Sequence, residues 1–425
     1  MSYSAELDRH IDAHFKPTEF RDLISGAKID EVKNQMNPFC QVSVNIPAHH
    51  AEPRLRRTLA KYAQQASDTF PRSFFEIAVL VNGAAGVDLP SSPAYQGVLE
   101  AKDAHPKLNI KLFSKNYGNN GTTIGHIRSD LATLTMVRAA QYGMPLENLV
   151  LVTNDADLVN IPANYLQNIH DRFTGDESLA GMTGPVLYPK ASLGSDDLAL
   201  SVQRFMDFWE TILRKRHGHR TMRGGNSAFR ASSYIEAGGH AKKSRVSENR
   251  PLLAKFNSND PGSVVFDRGM WIETSPRRHL TAIAKGEKVS TKHNNFGKDG
   301  DLAEEYRQTT GKLELSKKRF NVLDPRFRKA LQDELQTVFH YDLFWAFSRM
   351  KGAIKETQTL SREERMAYLY DMLAKQKPEQ ITELEEDFKL AGAFLGVKIK
   401  IHHTNIAISR TTPLRNGILE RYRHF

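Results

Sequence analysis

The sequence has little cysteine, no long apolar run and no excess of acidic residues. Its 425 residues include one cysteine, Cys40, which excludes a disulfide framework and a cysteine-based zinc cluster. No apolar run reaches the ~18–20 residues that a membrane span needs. The polar N-terminal stretch lacks the apolar core of a signal peptide. These absences predict a cytoplasmic protein, with at most peripheral contact at a membrane.

The charge balance is basic. Lys and Arg number 59 and Asp and Glu number 49, which gives a net charge of +10. Such a balance suits nucleic acid, an anionic membrane surface or a phosphate-bearing small molecule, and it also suits a merely solvated basic surface. The sequence has neither a zinc pattern nor a glycine–aromatic ribonucleoprotein motif, so we expect no nucleic-acid partner.

Apolar runs alternate with helical patterns through the first two thirds of the chain. Strands are predicted at 41–46, 75–81, 109–113 and 148–153, and helices at 52–66 and 122–141. This alternation indicates βαβ units and a parallel sheet. Less regular strands are predicted at 179–187, 226–229, 263–266 and 270–273.

The chain is expected to have three regions. Residues 1–38 form an N-terminal helical extension, 39–310 an α/β domain, and 311–425 a mostly helical C-terminal region. In the last region, Ser361-x-x-Glu364 and Thr382-x-x-Glu385 have the capping-box pattern that precedes helices. A strand is predicted at 397–401.

Two carboxylates follow the predicted strand at 148–153. Asp155 and Asp157 are one residue apart, at the carboxyl end of a parallel strand, where open α/β sheets bind ligands. Extended backbone would let both reach one hard cation, and Mg²⁺ or Mn²⁺ takes oxygen ligands that it can share with a diphosphate. The alternative interpretation is a surface turn, where Asp is common.

Four sequence blocks in order resemble glycosyltransferase family 2, whose members use nucleotide sugars. The blocks are VSVNIPA with Glu52, VLVTNDADLVNIP at 150–162, GGNSAFR with EAGG at 224–239, and TSPRR at 274–278. The resemblance implies a GT-A (Rossmann-like) fold with a mainly parallel central sheet and flanking helices. It also implies a divalent metal, Mn²⁺ or Mg²⁺, and a UDP- or GDP-sugar donor.

The resemblance and the chemistry of the transfer together suggest roles for individual residues. Glu248 is the expected general base, in an E-N-R-P-L segment where the family has E-D-x-x-L. The expected metal ligands are Asp155, Asp157 and His293. The expected acceptor residues are Gly225, Asn226 and His240. The expected nucleotide-sugar residues are Pro47, Ala48, Glu52, Asn82, Lys115, Arg128, Asp155, Arg277 and Arg278.

Two departures from the family pattern leave alternatives open. Asn82 stands where members usually have acidic residues that contact the base, which leaves the identity of the base open. Asn249 replaces the second carboxylate after the double glycine. Because Asn cannot act as a base, that role falls to Glu248, or to no residue if the enzyme retains configuration.

The basic run at 214–223 lies just before the GGN segment. It suits an anionic acceptor, or a lipid-linked acceptor at an anionic membrane face, and it also suits a solvated loop. Two other functions remain open. A nucleotidyltransferase also uses paired aspartates, but usually with a glycine-rich loop after its first strand, where this chain has PAHHAEP. The third hypothesis is a catalytically inactive basic binding protein on the same fold.

Overall fold

A computed structural model describes residues 3–118, 122–187, 225–242, 252, 255–256, 263–274, 339, 360–395, 397–402 and 405–410. The chain divides into two units. The described residues up to 274 belong to the first unit, and those from 339 onward belong to the second. Glu248, Arg277, Arg278, His293 and the basic run at 214–223 lie outside the described residues.

The first unit is built on a mainly parallel sheet. Its strands are β1 (Val42–His49), β2 (Phe75–Ala84), β3 (Ile110–Tyr117), β4 (Val150–Asn154), β6 (Gly181–Thr183), β8 (Asn226–Arg230) and β9 (Val264–Phe266). Their order is β3-β2-β1-β4-β8-β6-β9. Strand β8 runs antiparallel to its neighbours β4 and β6, while the other pairings are parallel. The predicted sheet is therefore confirmed.

A smaller sheet lies within the same unit. It has the order β5-β10-β7, formed by β5 (Leu158–Asn160), β10 (Ile272–Thr274) and β7 (Val186–Leu187). Strand β7 and strand β6 of the central sheet occupy the stretch 179–187 that the sequence suggested as one strand. The small sheet brings the end of β10 beside the segment that follows β4.

Helices cover both faces of the central sheet. They are α1 (Ala5–His14), α2 (Pro17–Ala27), α3 (Leu55–Tyr62), α4 (Pro93–Ala104), α5 (Ile124–Gln141), α6 (Tyr165–Gly175) and α7 (Ala231–Glu236). Side chains of α3, α4 and α6 share a buried cluster with one face, and those of α1, α2, α5 and α7 share a cluster with the other. Strand β2 serves both, because Ile77 and Val79 enter the first cluster while Ala78 and Leu80 enter the second.

The described part of the second unit includes two helices and a hairpin. Helix α8 spans Arg362–Gln376, helix α9 spans Pro378–Leu395, and β11 (Val397–His402) pairs antiparallel with β12 (Asn405–Arg410). The capping box at Ser361 and Glu364 is confirmed. The one predicted at Thr382 is wrong, because α9 already begins at Pro378 and the Thr382 hydroxyl donates to the Pro378 carbonyl, 3.1 Å away.

In the part of the chain that the structure describes, no helix is both long and apolar enough to cross a membrane.

Candidate functional site

The candidate site lies where the carboxyl ends of β1, β2 and β4 meet. Strand β1 pairs with β4 over its first half and with β2 along its length, so that His49 lies opposite Asn82. The Asp155-x-Asp157 segment follows β4 directly. Neighbouring parallel strands thus bring their polar ends to one edge of the sheet, which is where ligands bind in open α/β folds.

Asp155 is paired with a buried arginine. Arg128 lies in the second turn of α5, and its Nη2 donates to Oδ1 of Asp155 at 2.6 Å. The Arg128 side chain is 4% exposed, whereas that of Asp155 is 40% exposed. The structure therefore joins two of the predicted nucleotide-sugar residues in one ion pair, with the carboxylate on the solvent side.

Gly225 leaves room for the Asp155 carboxylate. A Cβ at position 225 would lie 2.3 Å from Oδ2 and 2.7 Å from Cγ of Asp155. Any larger residue would therefore displace the carboxylate from its present place. This contact gives a physical reason for the glycine of the GGN segment beside Asp155.

The Asp157 carboxylate accepts a hydrogen bond from a neutral hydroxyl group. Its Oδ1 accepts a hydrogen bond from the Thr274 hydroxyl at 3.0 Å, and the residue is buried. The backbone on either side is also fixed, since the Thr58 hydroxyl lies 2.7 Å from the Ala156 carbonyl and 2.9 Å from that of Leu158. The local chain at Asp157 is therefore supported by α3 and by β10.

A buried polar network lies behind the Asp155–Asp157 segment. With its oxygen facing Tyr62, the Asn154 amide accepts from the Tyr62 hydroxyl at 2.6 Å and donates to Tyr165 at 3.1 Å. The Tyr165 hydroxyl donates to Oδ1 of Asn226 at 2.8 Å. The Asn226 amide nitrogen lies 2.7 Å from the carbonyl of Met270, to which it donates. Burial raises the pKa of Tyr165 well above its usual range, so its hydroxyl keeps the proton that this network needs.

Asn226, predicted to contact an acceptor, is fully buried within this network. Its amide oxygen and nitrogen both form hydrogen bonds in the interior. These bonds connect β8 to α6 and to the chain before β10. Gly225, the residue before it, is the one in contact with Asp155.

Four of the predicted nucleotide-sugar residues lie at or just beyond the carboxyl ends of β1 and β2. Pro47 and Ala48 are inside β1, opposite Leu80 and Val81. The Asn82 side chain donates to the Ala48 carbonyl at 2.8 Å. Glu52 is buried ahead of α3, and its Oε1 accepts from the Arg54 backbone N–H at 3.1 Å.

Lys115 belongs to a cluster around a buried carboxylate. Asp130 is fully buried, and its Oδ2 accepts from Lys115 at 2.6 Å and from the Tyr117 hydroxyl at 3.0 Å. Lys242 Nζ lies 3.7 Å from Oδ1 of Asp130 and donates to the His14 carbonyl at 2.7 Å. Burial lowers the pKa of Lys242 to about 8, with Asp130 opposing the shift.

His240 lies in the interior next to α7. It is buried, its backbone N–H donates to the Tyr234 hydroxyl at 3.0 Å, and its Nδ1 lies 2.8 Å from the same oxygen. The preceding Gly238 and Gly239 have φ values of +76° and +64°, which only glycine adopts readily. The double glycine thus turns the chain after α7 and directs His240 inward.

The donor set at Asp155 and Asp157 fits a hard divalent cation. Both ligands are carboxylates, which Mg²⁺ and Mn²⁺ prefer, and Gly225 preserves the space that the Asp155 carboxylate occupies. The described residues contain no group of three Asp, Glu, His or Cys side chains that could hold a metal. His293, the predicted third ligand, lies outside the described residues.

Some residues of the site carry no local sequence signal. Thr58, Tyr165 and Thr274 contact the Asp155–Asp157 segment or the network behind it, although Thr274 is 117 residues from Asp157 in sequence. For Thr274, the TSPRR block marked the region but did not indicate contact with Asp157. For Thr58, only the helical periodicity of 52–66 was visible, and Tyr165 lies in α6, a helix that the sequence analysis did not predict.

Comparisons with known proteins identify similar folds at low sequence identity. No protein-family model and no curated protein matches the sequence. Among solved structures, a mannosyltransferase from Pyrobaculum calidifontis, in complex with GDP-Man and Mn²⁺, is 17% identical with a TM-score of 0.40, over 92% of this chain and 96% of its own. S. aureus TarS is 14% identical with a TM-score of 0.38, over 87% of this chain and 97% of its own.

A third solved structure is glucosyl-3-phosphoglycerate synthase from Mycobacterium tuberculosis with Mn²⁺, UDP and glucosyl-3-phosphoglycerate. It is 10% identical with a TM-score of 0.32, over 61% of this chain and 75% of its own. The predicted α/β architecture, a mainly parallel central sheet with flanking helices, is confirmed, and β8 is the antiparallel strand of that sheet.

Proposed function

We propose that this protein is a metal-dependent glycosyltransferase that moves a sugar from a UDP- or GDP-sugar to a hydroxyl acceptor. The observation that carries the proposal is the Asp155–Arg128 pair at the carboxyl end of β4, with Gly225 against the carboxylate. A solvent-facing carboxylate, a second carboxylate two residues on and a buried arginine form a site for a cation and a diphosphate.

Asp155 and Asp157 would hold Mn²⁺ or Mg²⁺, which when bound neutralises the charge that builds on the leaving diphosphate. Arg128 supplies a fixed positive charge beside the same carboxylate, and Lys115 adds a second cation at the end of β3. Arg277 and Arg278 are proposed to contribute further charge, and His293 a third metal ligand, on the strength of the sequence resemblance alone.

The donor base is proposed to lie against Pro47, Ala48, Glu52 and Asn82. The support is their position at the ends of β1 and β2, next to β4, the strand that the two aspartates follow. The Asn82 nitrogen already donates to Ala48, so a base edge would meet the strand ends in a fixed arrangement. We propose no choice between uracil and guanine.

Glu248 is proposed to take the proton from the acceptor hydroxyl as the anomeric carbon is attacked. The acceptor is proposed to be anionic or lipid-linked, because of the basic run at 214–223, and the protein to act in the cytoplasm or peripherally at a membrane. Three residues are proposed to border the acceptor side: Gly225, Asn226 and His240. Because the side chains of Asn226 and His240 are buried and hydrogen-bonded in the interior, these two residues contribute structural support.

The decisive experiment tests a panel of UDP- and GDP-sugars with and without Mn²⁺. It measures the thermal stabilisation of the protein and the release of UDP or GDP. We expect one donor to stabilise the protein only with metal, and Asp157→Asn to abolish that stabilisation. Asp171→Asn is the matched control, because it makes the same chemical change at an exposed position of α6. A response to none of the donors would overturn the proposal.

Adding nucleoside triphosphates to the panel separates the alternative functions. Release of inorganic pyrophosphate from a nucleoside triphosphate would identify a nucleotidyltransferase. Binding of a donor with no transfer or hydrolysis, in wild-type and Glu248→Gln alike, would identify an inactive binding protein.

A further inference from the structure

Arg128 and Asp155 form an ion pair in which only one partner faces solvent. Arg128 is almost fully buried in α5, and its guanidinium contacts Oδ1 of Asp155 at 2.6 Å. Arginine stays protonated at every physiological pH. The carboxylate proposed as a metal ligand is therefore already neutralised by an internal cation.

This arrangement opposes the binding of a metal ion by itself. A divalent cation approaching Oδ1 of Asp155 meets a guanidinium at hydrogen-bond distance from the same oxygen, in a partly buried place where charges are weakly screened. Oδ1 of Asp157 accepts from the Thr274 hydroxyl, which is a neutral donor.

A nucleotide diphosphate would remove the obstacle. Its phosphate oxygens are the partners that the planar fork of an arginine binds best. A phosphate group near Asp155 would offset the charge of the buried guanidinium and supply the oxygen ligands that a divalent cation needs.

We propose that Arg128 is a gate on the metal site, which makes divalent-cation binding at Asp155 depend on a nucleotide diphosphate. The inference rests on the proposed function and adds a statement about binding. The metal and the nucleotide bind together, while binding of the metal alone is disfavoured. Because coupling between two ligands is reciprocal, nucleotide affinity must rise with metal by the same factor as metal affinity rises with nucleotide.

The test is a Mn²⁺ titration followed by electron paramagnetic resonance, without nucleotide and with saturating UDP or GDP. In wild-type protein we expect nucleotide to tighten Mn²⁺ binding by roughly tenfold or more. In Arg128→Gln we expect Mn²⁺ alone to bind about tenfold more tightly than to wild type, because a positive charge beside the ligand is gone. The coupling factor should fall towards one.

Three variants keep the result interpretable. Arg128→Lys keeps the charge and should keep weak binding of Mn²⁺ alone. Arg128→Gln combined with Asp155→Asn should lose the gain in Mn²⁺ affinity. Arg56→Gln removes one positive charge from an exposed pair with Glu100 and should leave the Mn²⁺ titration unchanged.

The gate is overturned if folded Arg128→Gln binds Mn²⁺ alone no more tightly than wild type. If Arg128→Gln fails to fold, Arg128→Met tests the same point. Nucleotide-independent Mn²⁺ binding of equal affinity in wild type and Arg128→Lys would also overturn the gate. Failure of the proposed function looks different, since wild-type protein would then bind neither UDP nor GDP with or without Mn²⁺.

Discussion

The Thr274 hydroxyl donates a hydrogen bond to Oδ1 of Asp157 at 3.0 Å, across 117 residues of sequence. The contact joins the end of β10 to the segment that follows β4. It fixes one carboxylate oxygen with a neutral donor, so that the other oxygen keeps a defined direction. Thr274 therefore acts on the candidate metal site through Asp157.

Thr274→Val should weaken metal-dependent nucleotide binding. Loss of a hydrogen bond that orients a metal ligand typically lowers metal affinity by about 10- to 100-fold, so we expect a rise of about tenfold or more in the dissociation constant. Calorimetric titration of UDP and GDP in the presence of Mn²⁺ measures it. Thr274→Ser retains the hydroxyl and should bind like wild type; equal affinities for the valine and serine variants would remove Thr274 from the site.

Gly225→Ala should displace Asp155. The added methyl group would lie 2.3 Å from Oδ2, which is well inside van der Waals contact. Because the Asp155 side chain is partly exposed, we expect it to move into solvent with little loss of fold stability. The expected result is loss of Mn²⁺-dependent nucleotide binding with an almost unchanged melting temperature.

Gly175→Ala is the matched control for that substitution. A Cβ at Gly175, the last residue of α6, would meet nothing within 4 Å. The control should bind nucleotide and Mn²⁺ like wild type. Normal metal-dependent binding by Gly225→Ala would show that the position of the Asp155 carboxylate is unimportant.

The sequence predicted those parts of the site that depend on local order along the chain. A buried apolar strand followed at once by two carboxylates indicated the position of Asp155 and Asp157, and the structure has β4 end at Asn154. The contacts of Thr58, Tyr165 and Thr274 could not be predicted in this way. They depend on how α3, β5, α6 and β10 pack, which brings together residues that are between 11 and 117 positions apart in sequence.

The sequence analysis predicted no helix at α4, α6 or α7 and placed a helix start at Thr382. Physical reasons can be given for α4 and for Thr382. Helix α4 was absent from the prediction because its buried positions, Ala94, Val98 and Ala101, are small and give a weak apolar stripe. Its start did carry a signal, since Ser92 caps it and Pro93 is the first helical residue. The predicted cap at Thr382 was wrong for a related reason, because Pro378 starts α9 one turn earlier.

Glu76→Gln should strongly destabilise the first unit. Glu76 and Arg138 are both fully buried and form two parallel hydrogen bonds of 2.7 and 2.8 Å between β2 and α5. The substitution leaves the arginine charge buried without its counter-ion, which costs about 3–5 kcal/mol of unfolding free energy. Urea unfolding measures this loss.

Glu100→Gln makes the same change in an exposed pair with Arg56. Such surface pairs contribute less than about 1 kcal/mol, so this variant should unfold close to wild type. Replacing both Glu76 and Arg138 by apolar residues of similar size should recover much of the loss. Equal midpoints for Glu76→Gln and Glu100→Gln would contradict this account of the buried pair.

His10 should make the fold sensitive to acid. It is buried in α1, neither ring nitrogen has a hydrogen-bond partner among the described residues, and burial, reinforced by His14 and Lys242, lowers its pKa to about 3. In the unfolded chain the ring takes up a proton near its ordinary pKa of 6.5, whereas in the folded chain it does not. Folding stability contributed by His10 is therefore present above pH 6.5 and is lost as the pH falls from 6.5 towards 3.

His10→Leu removes this titration while keeping an apolar side chain against Tyr234, whose ring lies 6.1 Å from that of His10. Between pH 7 and pH 4, the melting temperature of the variant should fall less steeply than that of wild type. Arg9→Gln, on the exposed side of the same helix, should keep the wild-type slope. A leucine variant with the wild-type slope would mean that other groups, among them the neighbouring His14 whose pKa is also lowered by burial, determine the acid response.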